Sequence, residues 1–185
     1  MITKSKPIMK YPLAFALLLF MNISCDQPLD FPPLPEGAEE EEDGGTESGS
    51  SDDGNSAQLE MLALVNEIRA EGCRCGNQNM PPVPALKWNP KLERAAKRHV
   101  DDMLEQDFFS HQGSDGSSVG QRASDAGYSW TGIAENIAYG YPDMASVIQG
   151  WKDSPGHCKN MMKASYEHLG MAGREGYWVM VLGKD

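Results

Sequence analysis

Three residues of this chain have the types and setting that a polar reaction or binding site needs. His111 ends the run Phe108-Phe109-Ser110-His111, Glu135 lies in Ala134-Glu135-Asn136, and His157 sits in Trp151-Lys152-Asp153-Ser154-Pro155-Gly156-His157-Cys158. Gly-rich chain separates them. Two neutral imidazoles and one carboxylate suit a divalent cation such as Zn²⁺ and leave a coordination position open. An open position can support hydrolysis by acidifying bound water. The same residues also make an ordinary hydrogen-bonded polar cleft, with Glu135 accepting from an imidazole. Ser110 and Ser154 are near a His in sequence, but neither lies in a Gly-x-Ser-x-Gly elbow, which argues against serine-hydrolase chemistry. His-Glu-x-x-His zinc motifs are absent. His99 lies on an apolar helical stripe and reads as a hydrogen-bonded core residue.

The elements that must position these residues follow from periodicity. Asn55-Ser56 can cap a helix from about Ala57, with Leu59, Leu62, Val65 and Ile68 as its apolar stripe and Gly72 as its stop. Residues 73–87 read as loop, with Pro81, Pro82 and Pro84 close together. Asn89-Pro90 is a strong helix start: Asn caps, and Pro at the first helical position lacks only a hydrogen bond that is missing there anyway. That helix runs to about Gln106, burying Leu92, Ala95, Ala96, His99, Val100, Met103 and Leu104. A short helix over 118–126, an extended segment over 133–139, a helix from Pro142-Asp143 to Ser154-Pro155-Gly156, and a terminal hairpin of 168–173 with 177–182 complete the expectation. Helices come first and the clearest hairpin last, which is α+β order.

Composition divides the 185 residues into three parts. Residues 1–25 read as a lipoprotein-type export signal: Lys4, Lys6 and Lys10 precede an apolar run too short to span a bilayer as a helix, and Ser24-Cys25 ends it, making Cys25 the expected lipid anchor. Residues 26–56 hold eleven acids and no Lys or Arg, with Pro, Gly and Ser between them. They read as a disordered acidic tether. The folded domain is expected over 57–185, where sixteen acids face thirteen bases. Most of the net charge of −11 thus belongs to the tether. The domain has no basic stripe, which argues against nucleic acid as a partner. Cysteine usage suits an exported protein. Cys73 and Cys75 are too close to pair easily, so one of them is expected to bridge to Cys158; the alternative is that all three are reduced. A three-Cys metal site is disfavoured, since Cys-x-Cys lacks the usual two-residue spacing.

Beside this reading stands a resemblance. Leu64-Val65-Asn66-x-x-Arg69, Leu86-x-Trp88-Asn89-x-x-Leu92-x-x-Ala95-Ala96, Phe108-Phe109-Ser110-His111, Gly127-Tyr128, Glu135-Asn136-Ile137-Ala138 and Trp151-x-x-Ser154-Pro155-Gly156-His157-Cys158-x-Asn160-Met161-Met162 resemble, in order and spacing, the CAP superfamily of cysteine-rich secretory, antigen 5 and pathogenesis-related proteins, above all its bacterial SCP-like branch. The resemblance implies a three-layer α-β-α sandwich with a central antiparallel sheet. It also implies a cleft with a tetrad of two His and two acids, which in some members binds a divalent cation. His111, Glu135 and His157 match three of the four; Ser154 stands where the second acid would be, with Asp153 beside it. It further implies a Cys75–Cys158 disulfide that leaves Cys73 outside the bridge. The expected function is that of an exported, lipid-anchored, monomeric domain presenting a His/Glu cleft to a small ligand, lipid or glycan of the cell envelope, or to a divalent cation. The alternative is a metal-assisted hydrolase or protease using the same cleft.

Overall fold

The computed structural model describes residues 52–185, with side chains from residue 56 onward. The expected signal, the expected anchor at Cys25 and nearly all of the acidic segment lie outside the described residues. The elements run α1 (Asp52–Glu71), β1 (Cys73–Cys75), β2 (Gln78–Met80), β3 (Lys87–Trp88), α2 (Pro90–Glu105), α3 (Val119–Asp125), β4 (Gly132–Tyr139), α4 (Met144–Asp153), α5 (Pro155–Met161), β5 (His168–Arg174) and β6 (Tyr177–Lys184). The main sheet has the order β3-β5-β6-β4. β6 pairs antiparallel with both β4 and β5, placing Glu135 opposite Val181. The two-residue β3 runs parallel, beside β5. This is the α+β sandwich with an antiparallel-rich sheet that the resemblance implies.

The pleat of the sheet explains the three layers. Successive strand residues point to opposite faces. Val179 and Val181 of β6 therefore join Leu92, Ala95, Ala96, Val100 and Met103 of α2 in one core. Met180 and Leu182 join Leu64, Val65 and Ile68 of α1, Val147, Ile148 and Trp151 of α4, and Met161 of α5 in the other. A central strand buried on both faces reads as a continuous apolar run, as Tyr177–Leu182 does. Gly170 of β5 lets α2 sit directly on the sheet: a Cβ there would lie 2.1 Å from the Glu93 nitrogen.

The helix starts were legible. Asn89 Oδ1 accepts from the Lys91 amide and Pro90 opens α2; Ser118 caps α3 and Asp143 caps α4. Other expectations are corrected. α1 begins at Asp52, ahead of the expected start near Ala57, because extending a helix adds one hydrogen bond per residue once it is nucleated. Its buried stripe is Met61, Leu64, Val65 and Ile68, while Leu59 is 59% exposed. Spacing of three, as in Leu59-Leu62-Val65-Ile68, drifts around a helix of 3.6 residues per turn; spacing of three then four does not. The expected loop 73–87 contains the β1–β2 hairpin and β3, strands too short to show an alternating pattern. Ser154-Pro155-Gly156 ends α4 as expected, yet Pro155 also opens α5, since proline suits a first helical position as well as a stop.

One buried cation ties the non-repetitive segments to α1. Arg69, fully buried, donates from Nε and Nη2 to Pro84 O (2.9 and 2.6 Å), from Nη1 to Met161 O and Lys163 O, and from Nη2 to Tyr166 O. Burial lowers its pKa to about 10, so it remains charged at neutral pH. These carbonyls lie in the segment after β2 and at and beyond the end of α5, where no sheet ladder serves them. Arg69→Ala would remove the side-chain donor from the Pro84, Met161 and Tyr166 carbonyls, while Lys163 O keeps the Tyr166 amide, at a cost of about 3 kcal/mol or more. The expected result is a fall in melting temperature of about 10 °C. A melt within about 2 °C of the parent would show that water replaces the guanidinium.

Candidate functional site

Glu135 is carried by the β4 face that looks toward α2, together with Ile137. Its carboxylate is 2% exposed and both oxygens are occupied. Oε1 accepts from His111 Nδ1 at 2.8 Å, and Oε2 accepts from Arg122 Nη2 at 2.7 Å. Arg122, on α3, is equally buried and also donates to Ser117 O (2.8 Å) and His111 O (3.1 Å). It thus holds the carboxylate and both ends of the loop 111–117 at once. A carboxylate oxygen accepts, so His111 Nδ1 donates to it and Nε2 is the ring nitrogen turned away from Glu135. The His111 side chain is 60% exposed. Its basic nitrogen is available at a cleft of about 330 Å³ lined by His111, Gln112, Gly116, Ser118, Val119 and Glu135.

His99 backs this arrangement. It is fully buried on α2, with Nε2 2.8 Å from Ser110 O and 3.9 Å from Glu135 Oε1. The carbonyl can only accept, so Nε2 donates and Nδ1 is the acceptor nitrogen; that atom has no hydrogen-bond partner among the described residues. Burial lowers the pKa of His99 against the opposing pull of Glu135, with the Arg122 charge adding to the fall. His99 is therefore neutral at pH 7. His157, half-buried on α5, is also held below the usual imidazole range, first by burial and then by the charge on His111. Its backbone carbonyl accepts from Asn136 Nδ2 at 3.1 Å, and Asn136 Oδ1 accepts from Asn160 Nδ2 at 2.9 Å.

A family model described as the cysteine-rich secretory protein family, CAP, matches residues 62–179, more than half of the chain. The chain belongs to the CAP family. It is 32% identical over 115 residues to an uncharacterized membrane protein, YlbC, of Bacillus subtilis strain 168, covering 62% of this chain and 31% of that protein. Among solved structures it is similar to an extracellular protein containing an SCP domain from Bacillus anthracis (24% identity, TM-score 0.62, 75% of this chain and 45% of that one). It is also similar to an outer surface protein of Borrelia burgdorferi (19% identity, TM-score 0.55, 76% of this chain and 98% of that one). The chain spans about a third of the length of the Bacillus subtilis relative and under half of the Bacillus anthracis one. Among the described residues no helix is long and apolar enough to cross a membrane.

Within this CAP domain the four expected cleft positions are not equivalent. His111 and Glu135 are in direct contact. His157 is near enough to feel the charge of His111, but it does not line the cleft. Ser154 is the junction between α4 and α5, and its side chain makes no capping bond. Asp153, beside it, is exposed and accepts from Gln149. Among the described residues, the ligand atoms of His111, Glu135 and His157 do not all fall within 4.8 Å of one another, a spacing that the sulfurs of Cys73, Cys75 and Cys158 do meet. Two of those sulfurs are joined in the Cys75–Cys158 disulfide, the pairing the resemblance implies. Cys73 is buried beside it, outside the bridge.

Sequence reasoning missed Arg122 and discounted His99. The local signal for Arg122 was no more than a cation in a seven-residue helix beside small residues, Gly120 and Ala123. His99 carries the expected core role and, in addition, stands behind the Glu135 carboxylate.

The ion pair and the two low-pKa imidazoles can each be checked. Glu135→Gln preserves shape but leaves the Arg122 charge buried without its anion, so stability should fall by about 3 kcal/mol. Replacing Arg122 by Gln as well should recover part of that loss; equal or greater loss in the double variant, by chemical denaturation, would contradict the pairing. The second outcome concerns pH. His99 and His157 have folded-state pKa values below the ordinary 6.5. Below pH 6.5 the unfolded chain therefore binds more protons than the folded one. Their contribution is intact above pH 6.5 and is lost as the pH falls from there toward the folded values. Melting temperature should drop between pH 7 and 5, and His157→Gln should flatten the drop. An unchanged slope in that variant would count against it.

Proposed function

We propose that this chain is an exported, lipid-anchored CAP-domain protein whose His111/Glu135 cleft binds a small polar ligand at the cell envelope. The observation that carries this reading is the occupancy of Glu135: His111 and Arg122 take both of its oxygens. The carboxylate therefore acts as a fixed orienter, and His111 Nε2 is the group offered to a ligand. The extracellular and outer-surface character of similar proteins supports export. Cys25 supplies the anchor, and the acidic segment 26–56 holds the domain away from the surface.

Divalent-cation binding is a narrower property of the same site. Two imidazoles would serve, His111 Nε2 and His157, which are close enough for the charge on His111 to lower the His157 pKa, with Glu135 in the outer shell that fixes a ligating histidine. The donor set does not fit a three-ligand site, because Glu135 is committed elsewhere and Ser154 replaces an acid. Neutral imidazoles are the ligating form, and the lowered pKa of His157 favours that form at pH 7. A bound cation would supply Lewis-acid polarisation. The hydrolase reading draws on the same dyad, since a carboxylate-oriented imidazole with a free Nε2 is the geometry of a general base.

The test is native mass spectrometry of the protein recovered from its own envelope, followed by titration of the envelope lipid and glycan fractions and of Zn²⁺ by calorimetry. Expected results are a copurifying or titratable envelope ligand lost on His111→Ala. Zn²⁺ uptake is expected to be weak, abolished by His111→Ala and reduced about tenfold by His157→Ala. No ligand in any fraction overturns the binding reading, and no Zn²⁺ heat in the parent protein overturns the cation site alone. Turnover of a peptide, ester or glycan substrate, lost in His111→Ala, would instead select the hydrolase.

A further inference from the structure

Two turns decide which aromatic rings face outward at one end of the sheet. α2 ends at Glu105, and Asp107 takes a left-handed conformation with φ 51°. The chain reverses there, so Phe108 packs into the core against His99 while Phe109 stays 51% exposed. In the β5–β6 turn, Glu175 and Gly176 both have positive φ, the hairpin geometry that matches strand twist. Tyr177 then opens β6 directly opposite Tyr139 of β4. Opposite residues share a face, and so do residues two apart on one strand. Tyr139 therefore continues the line of Glu135 and Ile137 on the α2 side. Its ring rests on buried Tyr177, with centroids 4.4 Å apart, and reaches Phe109 at 6.5 Å. Tyr139 is nevertheless 59% exposed. Exposed apolar residues standing singly are ordinary; two in contact, one of them on the strand that carries the cleft carboxylate, form a surface.

We propose that Phe109 and Tyr139 form a stacking shelf for a sugar ring, and that an uncharged oligosaccharide runs from this shelf to the His111/Glu135 cleft. The inference rests on the reading of that cleft as a ligand site and names the ligand's class. From Glu135 to Tyr139 is four residues of strand, about 13 Å, a span that about three linked pyranose rings cover. The flat C–H face of a pyranose complements an aromatic ring, whose quadrupole turns negative charge toward the C–H groups. The hydroxyls around a sugar need donors and acceptors at the edge of such a shelf. The Tyr139 phenol supplies one. Burial first, and then Tyr139 and Asp107, push the Tyr177 phenol above its ordinary value, so the Asp107 carboxylate stands beside the shelf as a second. At the far end the cleft offers His111, Gln112 and Ser118.

Charge argues for an uncharged occupant. At this end of the sheet Asp101, Asp107 and Glu175 outnumber Lys97 and Arg174, and both of those cations already pair with Asp101. A net acidic rim repels anionic lipid headgroups and acidic polymers. Adsorption to a bilayer also scales with the apolar area buried, and two partly supported rings supply little. Stacking a single ring at a time needs no more than they offer, and the support of Tyr177 fixes the Tyr139 ring before the sugar arrives, which lowers the ordering cost of binding.

The experiment titrates the exported protein with chitohexaose and with cellohexaose by calorimetry and maps the bound sugar by saturation-transfer NMR. At least one hexamer is expected to bind, with its ring C–H protons receiving saturation from aromatic side chains. Tyr139→Leu keeps apolar cover over Tyr177 but removes the flat face, and should weaken binding about tenfold. Tyr139→Phe should bind as the parent does, and so should Leu59→Ala, which truncates an equally exposed side chain on α1. A parallel loss in His111→Ala supports one continuous site. Binding of neither hexamer, or unchanged affinity in Tyr139→Leu, overturns the proposal, even where another envelope ligand is lost on His111→Ala and the cleft reading stands. Tyr139-dependent binding that His111→Ala leaves intact overturns the run from shelf to cleft and counts against the cleft reading. If Tyr139→Leu does not accumulate, Phe109→Leu gives the same readings.

Discussion

A carboxylate buried on a sheet is costly unless its charge is matched and its lone pairs are filled. Glu135 meets that condition by recruiting three separate elements. α3 supplies Arg122, the loop after α2 supplies His111, and α2 itself places His99 behind the carboxylate. α3 lies where it does for this reason and because Ala123 packs into the same core as α2. The cleft is therefore a by-product of solving a desolvation problem in the α2-side layer. Its accessible basic atom, His111 Nε2, is accessible because the other nitrogen of the ring is needed inside.

The opposite layer is organised differently. There the sheet meets α1, α4 and α5 through Met, Leu, Val and Ile side chains and Trp151. Polar demand comes from loops, not from a charge, and Arg69 meets it by donating to four backbone carbonyls. The disulfide then fixes the hairpin to α5 across a sequence separation of 83 residues. In the chain-entropy picture a bridge of that span is worth up to about 4.5 kcal/mol. The two layers communicate through β4, whose alternate residues serve both: Glu135 faces one side, and Asn136 holds the His157 carbonyl on the other.

A tetrad of two imidazoles and two carboxylates would form a multidentate cation site. Here one acid position is taken by Ser154, the other acid is neutralised by Arg122, and the second imidazole belongs to the other layer. What is left is a single oriented imidazole at the mouth of a small cleft, with a neutral partner nearby. CAP membership accounts for the scaffold, and the Arg122–Glu135 pair accounts for the character of this particular cleft.

Local signals in the sequence determined a good deal. The cap at Asn89, the helix starts near Ser118 and Asp143, the strands of the terminal hairpin and Cys158 as a bridging residue were legible, because each is written within a few neighbouring residues. Only the tertiary structure decided which residues meet. Arg122 offered no signal beyond its place in a short helix, and His99 read as a core residue with no further part. Neither reading could change until the fold placed both beside Glu135, since an ion pair across 13 residues leaves no periodic trace. The β1 hairpin and α5 were hidden for the same reason: three-residue strands and a helix opening on a stop signal are stabilised by packing, not by propensity. Chain-local chemistry names the participants, and burial in a shared low-dielectric space decides which of them are coupled.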